Sequence, residues 1–108
     1  MAKSKATGST TALANNIDGK VASCDDAGNL VTDIPNDAVA GLVGDENVSV
    51  KFGPHETLGI HPAAHGQPEA TLVASLGESG FVMIEIVGIS LGEMLGIQSG
   101  ADVQIAWA

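Results

Sequence analysis

The sequence predicts a mainly β protein, a small and mostly antiparallel β-barrel with one or two short helices. Three observations favour this fold class. Short apolar runs follow one another at close spacing. The 14 glycines supply frequent chain reversals, and the bulky apolar residues are mainly Val, Ile and Leu, which favour strands over long helices. At 108 residues the chain has room for one domain, which buries about two thirds of the surface that its unfolded chain exposes.

The N-terminal segment, residues 1–16, is predicted to be a disordered polar tail. It consists mainly of Lys, Ser, Thr, Ala, Gly and Asn, with Leu13 as its bulky side chain. Such a composition does not offset the entropy that ordering costs. The β-barrel domain is therefore expected over residues 17–108.

The first two strands are predicted to form a hairpin. Residues 19–24 and residues 30–34 are expected to pair around a turn that contains Gly28 and Asn29, two residue types that tolerate positive φ. Pro35 then ends the second strand.

A short helix and two further strands are predicted next. The helix is expected over residues 38–42, capped by Asn36 or Asp37 and followed by Gly44. Apolar and polar residues alternate over 48–52, which indicates a half-buried strand, and residues 57–60 form the strand after it.

The C-terminal third carries the most regular pattern. Residues 72–76 and 81–87 are apolar runs that flank a turn with a glycine at each end, which predicts an antiparallel pair. The period then becomes helical, with Ser90 as N-cap and Gly96 as the left-handed residue after the helix. Alternation over residues 102–107 indicates the closing strand.

The charge balance argues against nucleic-acid and membrane partners. Thirteen acidic residues face four lysines and no arginine, for a formal net charge of −9. A chain this negative has no electrostatic footprint for phosphate backbones or anionic membrane surfaces. We expect neither kind of partner, and we expect the acidity to serve solubility.

The single cysteine, Cys24, leaves no internal disulfide and is expected to be a buried or half-buried apolar residue. No apolar stretch approaches transmembrane length, and the N-terminus lacks the apolar core of a signal peptide. These features predict a cytoplasmic location.

Three histidines raise the question of a metal site. His55 and His61 flank a predicted strand, and the spacing of His61 and His65 fits no established zinc pattern. Pro62, Gly66 and Pro68 interrupt any strand here, so residues 61–69 are expected to form an exposed, solvated loop that carries the last two histidines. We assign no metal ligand.

Catalytic motifs are not found. The sequence offers no His–Ser–Asp order with supporting motifs, no Gly-rich phosphate loop and no paired carboxylates in a recognisable frame. We therefore assign no catalytic residue.

Four short sequence motifs in a fixed order carry a family resemblance: GNLVT from Gly28, SGF from Ser79, LGEMLGI from Leu91 and SGADVQI from Ser99. This order resembles the C-terminal β-barrel domain of the SAM hydroxide adenosyltransferase family, which includes the fluorinating and chlorinating SAM enzymes, here as a stand-alone chain. The resemblance implies that Asn29 reaches the adenine of the substrate. It also implies that the polar turn formed by Ser79, Gly80 and Phe81 holds the amino-acid end of SAM.

The chain departs from the family pattern around this implied site. Ala27 stands where the family usually has Phe, Gly77 and Glu78 stand where it has Asn and Ser, and Gly88 follows Val87 where an Asn is common. Glu78 repels a substrate carboxylate at close range. In full-length members, the resemblance implies, a larger N-terminal α/β domain supplies the catalytic groups.

Two functions follow from this resemblance. The first is a non-catalytic, stand-alone binding or assembly module that keeps an adenosine or SAM pocket around Asn29, Ser79 and Phe81, with SAM or adenosine as ligand and no cofactor. Apolar surface that the family's α/β domain covers is then expected to favour self-association or a protein partner. The alternative is the barrel subunit of a split SAM hydrolase, which converts SAM to adenosine and methionine and has its α/β domain on a separate chain.

Overall fold

Seven antiparallel strands form a nearly closed barrel in the computed structural model of the protein, which describes residues 15–108. The elements are β1 (Asn15–Cys24), β2 (Leu30–Pro35), β3 (Ser49–Phe52), β4 (His55–Leu58), β5 (Leu72–Leu76), β6 (Phe81–Ile86), helix α1 (Leu91–Leu95) and β7 (Asp102–Trp107). The strand order is β4-β3-β7-β1-β2-β6-β5. The predicted fold class, mainly β with a short helix, is confirmed.

The long strand β1 joins the two halves of the barrel. Residues 15–20 pair with β7, and from Val21 onward β1 pairs with β2, with a register irregularity between Val21 and Ser23. The gap between β4 and β5 is bridged by a side chain, because Oγ1 of Thr57 donates to the carbonyl oxygen of Leu72 at 3.4 Å. The predicted tail lies outside the described residues up to position 14, and its last two residues, Asn15 and Asn16, belong to β1.

Inward side chains of every strand except β4 fill the barrel. Val48, Val50 and Phe52 are completely buried, and Val103 and Ile105 of the neighbouring β7 are buried beside them. Trp107, the third apolar residue of that alternation, packs against this core from a partly buried position at the end of β7. A single continuous core therefore holds the sheet in its curved form.

Helix α1 has the ends that the sequence predicts. Oγ of Ser90 accepts a hydrogen bond from the backbone N–H of Glu93 at 3.4 Å, and Gly96 closes the helix with φ 69°. Leu91 is fully buried and attaches the helix to the core, whereas Met94 is 63% exposed.

The predicted helix over residues 38–42, with its cap at Asn36 or Asp37, is wrong as an α-helix. Two 3-10 turns, Asn36–Ala38 and Ala40–Leu42, occupy the segment, and no side chain caps either of them. Val39, between the turns, is fully buried with φ −125°, so its burial in the core interrupts the helical backbone. The expected strand over 57–60 begins and ends two residues earlier, and Gly59 with φ 86° follows it.

Cys24 is exposed, which corrects the expectation of a buried or half-buried thiol. It is the last residue of β1, where the chain leaves the barrel wall for the turn that leads to β2. No helix formed by residues 15–108 has both the length and the apolar character needed to cross a membrane.

Candidate functional site

Two of the four predicted site residues, Asn29 and Ser79, line one pocket of about 390 Å³ on the outside of the barrel. Its floor is the outer face of β2 and β6, where the half-buried Val31 and Met83 are paired across the strands. The loop after His61 contributes Ala63 to the wall. The pocket therefore combines an apolar floor with polar groups at its edges.

Asp25 organises the turn that presents Asn29. Its Oδ1 accepts from the backbone N–H groups of Ala27 and Asn29, both at 2.9 Å, and its Oδ2 accepts from Nδ2 of Asn29 at 3.1 Å. Asp25 also lines the pocket. The sequence reasoning did not single out this residue, although an aspartate at the start of a Gly-Asn turn is the usual signal for such bonding.

The N-terminal end of α1 supports the same turn. The backbone N–H of Gly92 donates to the carbonyl oxygen of Gly28 at 2.9 Å. Gly28 has φ 83°, and a Cβ atom at this position would overlap the side chain of Ser90. The turn before Asn29 and the start of α1 are thus in close contact.

Asn29 also lines a second concavity of about 300 Å³ on its other side, together with Ala27, Glu85, Gly88 and Ile89. The side chain of Asn29 therefore lies between two hollows on one outer surface of the barrel. A ligand that occupies either hollow contacts Asn29.

The turn between β5 and β6 places Ser79 in the pocket but not the other two predicted residues. The N–H of Gly77 donates to the carbonyl oxygen of Phe81 at 3.0 Å, and the N–H of Gly80 donates to that of Gly77 at 3.2 Å. Gly80 and Phe81 are absent from the pocket lining, and the Phe81 side chain is 39% exposed. Glu78, which is exposed, does line the pocket.

The loop over residues 61–69 is mostly exposed, as the sequence predicts, but its two histidines are partly buried. The His65 side chain is only 10% exposed, and its Nε2 lies 2.9 Å from Oε2 of Glu85, which is 16% exposed. Nδ1 of His65 accepts from the N–H of Gln67 at 3.0 Å, so the ring proton resides on Nε2 and is donated to Glu85. His61 is tied to β5, because its N–H donates to the carbonyl oxygen of Ala74 at 2.9 Å.

The histidines are partly brought together. The rings of His61 and His65 have centroids 6.2 Å apart in an edge-on arrangement, whereas His55 contacts the ring of Phe52 instead. Across residues 15–108, no three His, Cys, Asp or Glu side chains converge in a way that suits a metal ion.

A larger concavity of about 640 Å³ lies on the other side of the Gly28 turn. Its lining includes Cys24, Asp26, Glu93 and Ile97, and none of the four predicted site residues. Large apolar side chains are exposed at Leu58, Phe81 and Met94, each on a different element, and single exposed side chains of this kind carry no conclusion about a partner.

Comparison with known proteins agrees with the barrel. The family model for the SAM hydroxide adenosyltransferase C-terminal domain matches residues 19–104. The fold is similar to that of an uncharacterized conserved protein from Thermotoga maritima, with a TM-score of 0.69, 26% identity, and 82% of this chain and 34% of that chain covered. It is also similar to that of a conserved hypothetical protein from Thermus thermophilus, with a TM-score of 0.61, 23% identity, and 82% and 32% covered.

The chain spans about a third of the length of each of these two solved structures. None of the curated proteins matches the chain significantly.

Proposed function

Because the chain belongs to the SAM hydroxide adenosyltransferase C-terminal domain family, we propose that it is a non-catalytic module that binds adenosine or an adenosine derivative such as SAM. The proposed site is the pocket beside Asn29. The observation that supports this site is the convergence of Asn29 and Ser79, far apart in sequence, on one hollow with an apolar floor.

The chemistry of the lining residues suits a nucleoside. Val31 and the polarizable thioether of Met83 offer an apolar surface to the face of a purine. Asn29 donates from Nδ2 to Asp25, which directs the other end of its amide, Oδ1, to accept from the exocyclic amino group of adenine. The Ser79 hydroxyl is a donor and an acceptor for the sugar.

The proposal is for binding without catalysis. The residues that line the pocket include no histidine, cysteine or lysine, and its one hydroxyl, that of Ser79, comes from an exposed turn. The lining holds two carboxylates, but Asp25 accepts three hydrogen bonds from its own turn and Glu78 is exposed. Neither is therefore held as the general base that a hydroxyl nucleophile needs.

Titration with adenosine tests the proposal. We expect chemical-shift changes that concentrate at the amides of Asn29, Ser79, Gly80 and Phe81. A ligand at a hundred times its dissociation constant stabilises the fold by about 2.7 kcal/mol, which a thermal-unfolding measurement detects. No shift and no stabilisation at millimolar adenosine would contradict the proposed function.

A matched pair of variants separates specific from general effects. Asn29→Ala is expected to weaken adenosine binding about tenfold, since it removes a charge-free hydrogen-bonding group from the site. Asn47→Ala removes the same side chain from an exposed turn between the 3-10 turns and β3, and should leave the affinity unchanged. Equal losses in the two variants would contradict the assignment of Asn29.

A second candidate function is the barrel subunit of a SAM hydrolase whose α/β domain is a separate chain. The observation that favours it is that the chain covers only 34% and 32% of the two similar structures. The test is to incubate SAM with this chain, with a separately produced α/β domain of a full-length family member, and with both. Adenosine release by the mixture alone supports this candidate, and a mixture no more active than its parts contradicts it.

A further inference from the structure

We propose that the Asn29 pocket selects adenosine derivatives whose 5′ substituent is positively charged and carries no carboxylate or phosphate. This inference rests on the proposed function, because it names the class of ligand for the same site. It follows from the charges that the fold places around the pocket, with Glu78 as the residue that determines specificity.

The lining of the pocket is negative at two places. Asp25 and Glu78 contribute carboxylates, and no lysine or histidine is among the lining residues. The two lysines in the described part of the chain lie elsewhere: Nζ of Lys20 is 2.7 Å from Asp102, and Lys51 lies on β3 beside a different hollow. The chain has no arginine. An anionic ligand therefore finds no positive side chain at this site.

The two carboxylates differ in how far their charge is compensated. Asp25 accepts three hydrogen bonds from N–H groups of its own turn, which spread and partly neutralise its charge. Glu78 is exposed at the tip of the turn between β5 and β6, directly before Ser79. The uncompensated charge is consequently at the Ser79 end of the pocket, away from the Asn29 end that receives adenine.

The position of this negative charge predicts which substituents at the 5′ carbon of the ribose the pocket accepts. With adenine at Asn29, the 5′ substituent extends toward Ser79 and Glu78. A sulfonium or an ammonium is attracted there, and a carboxylate or phosphate is repelled. For unit charges about 6 Å apart in a solvent-exposed site, the attraction or repulsion corresponds to roughly a three- to tenfold change in affinity.

Two matched ligand pairs isolate the effect of charge. S-adenosylmethionine and its decarboxylated form differ by one carboxylate, and AMP and adenosine differ by one phosphate. We expect the chain to bind decarboxylated S-adenosylmethionine about three- to tenfold more tightly than S-adenosylmethionine. The preference for adenosine over AMP is expected to be at least as large. Calorimetric titration at low salt measures all four dissociation constants, and about 0.5 M salt should bring both ratios toward one.

Glu78→Gln keeps the shape of the turn and removes its charge. It is expected to shrink both affinity ratios to about one- to twofold. Glu46→Gln is the matched control, because Glu46 is an exposed glutamate beside a different hollow and its replacement changes the net charge equally. The control should keep the ratios of the original chain.

The outcomes separate this inference from the proposed function. If adenosine does not bind, both are overturned. If adenosine binds but the two forms of S-adenosylmethionine bind equally, the inference is overturned and the proposed function stands. Ratios that persist in Glu78→Gln, or that fall as much in Glu46→Gln, also overturn it, because the selection would then not come from this carboxylate.

Discussion

Nδ2 of Asn29 donates a hydrogen bond to Oδ2 of Asp25 at 3.1 Å, while Oδ1 of the same carboxylate accepts from the backbone N–H of Asn29 at 2.9 Å. Asp25 thus holds both the main chain and the side chain of the residue that is proposed to meet adenine. Hydrogen bonds to an ionised acceptor are stronger than those between neutral groups. The orientation of the Asn29 amide consequently depends on Asp25.

Replacing Asp25 should affect both stability and binding. Asp25→Ala removes the acceptor of three hydrogen bonds, so we expect a loss of about 1–2 kcal/mol in the free energy of unfolding and a weaker affinity for adenosine. Urea denaturation and calorimetric titration measure the two effects. Asp26→Ala, which removes the neighbouring exposed carboxylate, is the control. Equal stability and affinity in the two variants would show that Asp25 does not organise the turn.

The contact between Gly28 and Ser90 predicts an unusually damaging alanine substitution. Gly28→Ala places a Cβ atom at φ 83° and against the Ser90 side chain, so both backbone strain and overlap destabilise the fold, by about 2–4 kcal/mol. Gly44→Ala is the matched control, because Gly44 has φ 89° but no atom lies within 4 Å of the place where its Cβ would be. We expect the control to lose only about 1 kcal/mol. Thermal unfolding that ranks the two variants equally would rule out the close contact.

The partly buried pair of His65 and Glu85 should contribute to the attachment of the loop to β6. His65→Ala leaves a largely buried carboxylate without its donor, so we expect a loss of about 2–3 kcal/mol in the free energy of unfolding. Glu85→Gln keeps an oxygen that accepts the His65 Nε2 proton, and its loss should be smaller than that of Glu85→Ala. Urea denaturation of the three variants tests this order. A negligible cost for His65→Ala would contradict it.

The exposed pair of Lys20 and Asp102 predicts a small pH-dependent term in stability. The hydrogen bond from Lys20, followed by its charge, lowers the pKa of Asp102 below its ordinary value of 3.8. The same hydrogen bond and the charge of Asp102 raise the pKa of Lys20 above 10.5. The stabilisation by the ion pair is therefore complete between the two ordinary pKa values, 3.8 and 10.5. It is lost as the pH falls through the lowered pKa of Asp102, and it is lost as the pH rises through the raised pKa of Lys20.

Asp102→Asn removes this term and gives a direct check. The difference in urea midpoint between the original chain and the variant should be largest near neutral pH and should shrink toward both extremes. Because both side chains are exposed, the difference should be small and should decrease with added salt. A difference that stays constant across the whole pH range would contradict the ion pair as its source.

Local sequence pattern predicts an element correctly where its alternation or its capping residues agree with the burial of its side chains. The alternation of Val48, Val50 and Phe52 marks an inward face, and Ser90 and Gly96 mark the ends of α1, all as observed. The pattern wrongly predicted an α-helix after Pro35, because Val39 is buried in the core with φ −125°, which is not an α-helical value. The burial predicted for Cys24 was wrong for a related reason, since a strand-like run does not reveal where the strand leaves the barrel.

The site is predictable only in part. The resemblance to the family named Asn29 and Ser79, and the structure places both at one pocket, while Gly80 and Phe81 lie outside its lining. The roles of all four residues in ligand binding stay predictions. Asp25 had a local signal in its turn, whereas the contact between His65 and Glu85 had none, because the two residues come from segments with no shared pattern.

The sequence by itself determined most of the strands and turns and the ends of α1, because alternation, glycine positions and capping act over a few residues. Only the tertiary structure decided that Asn29 and Ser79 line one pocket and that His65 contacts Glu85. The first of these depends on the register in which β2 pairs with β6, Val31 opposite Met83. The second depends on how the loop after β4 lies against β5 and β6. Register between distant strands is set by the packing of the whole barrel interior, so no local stretch of the chain contains it.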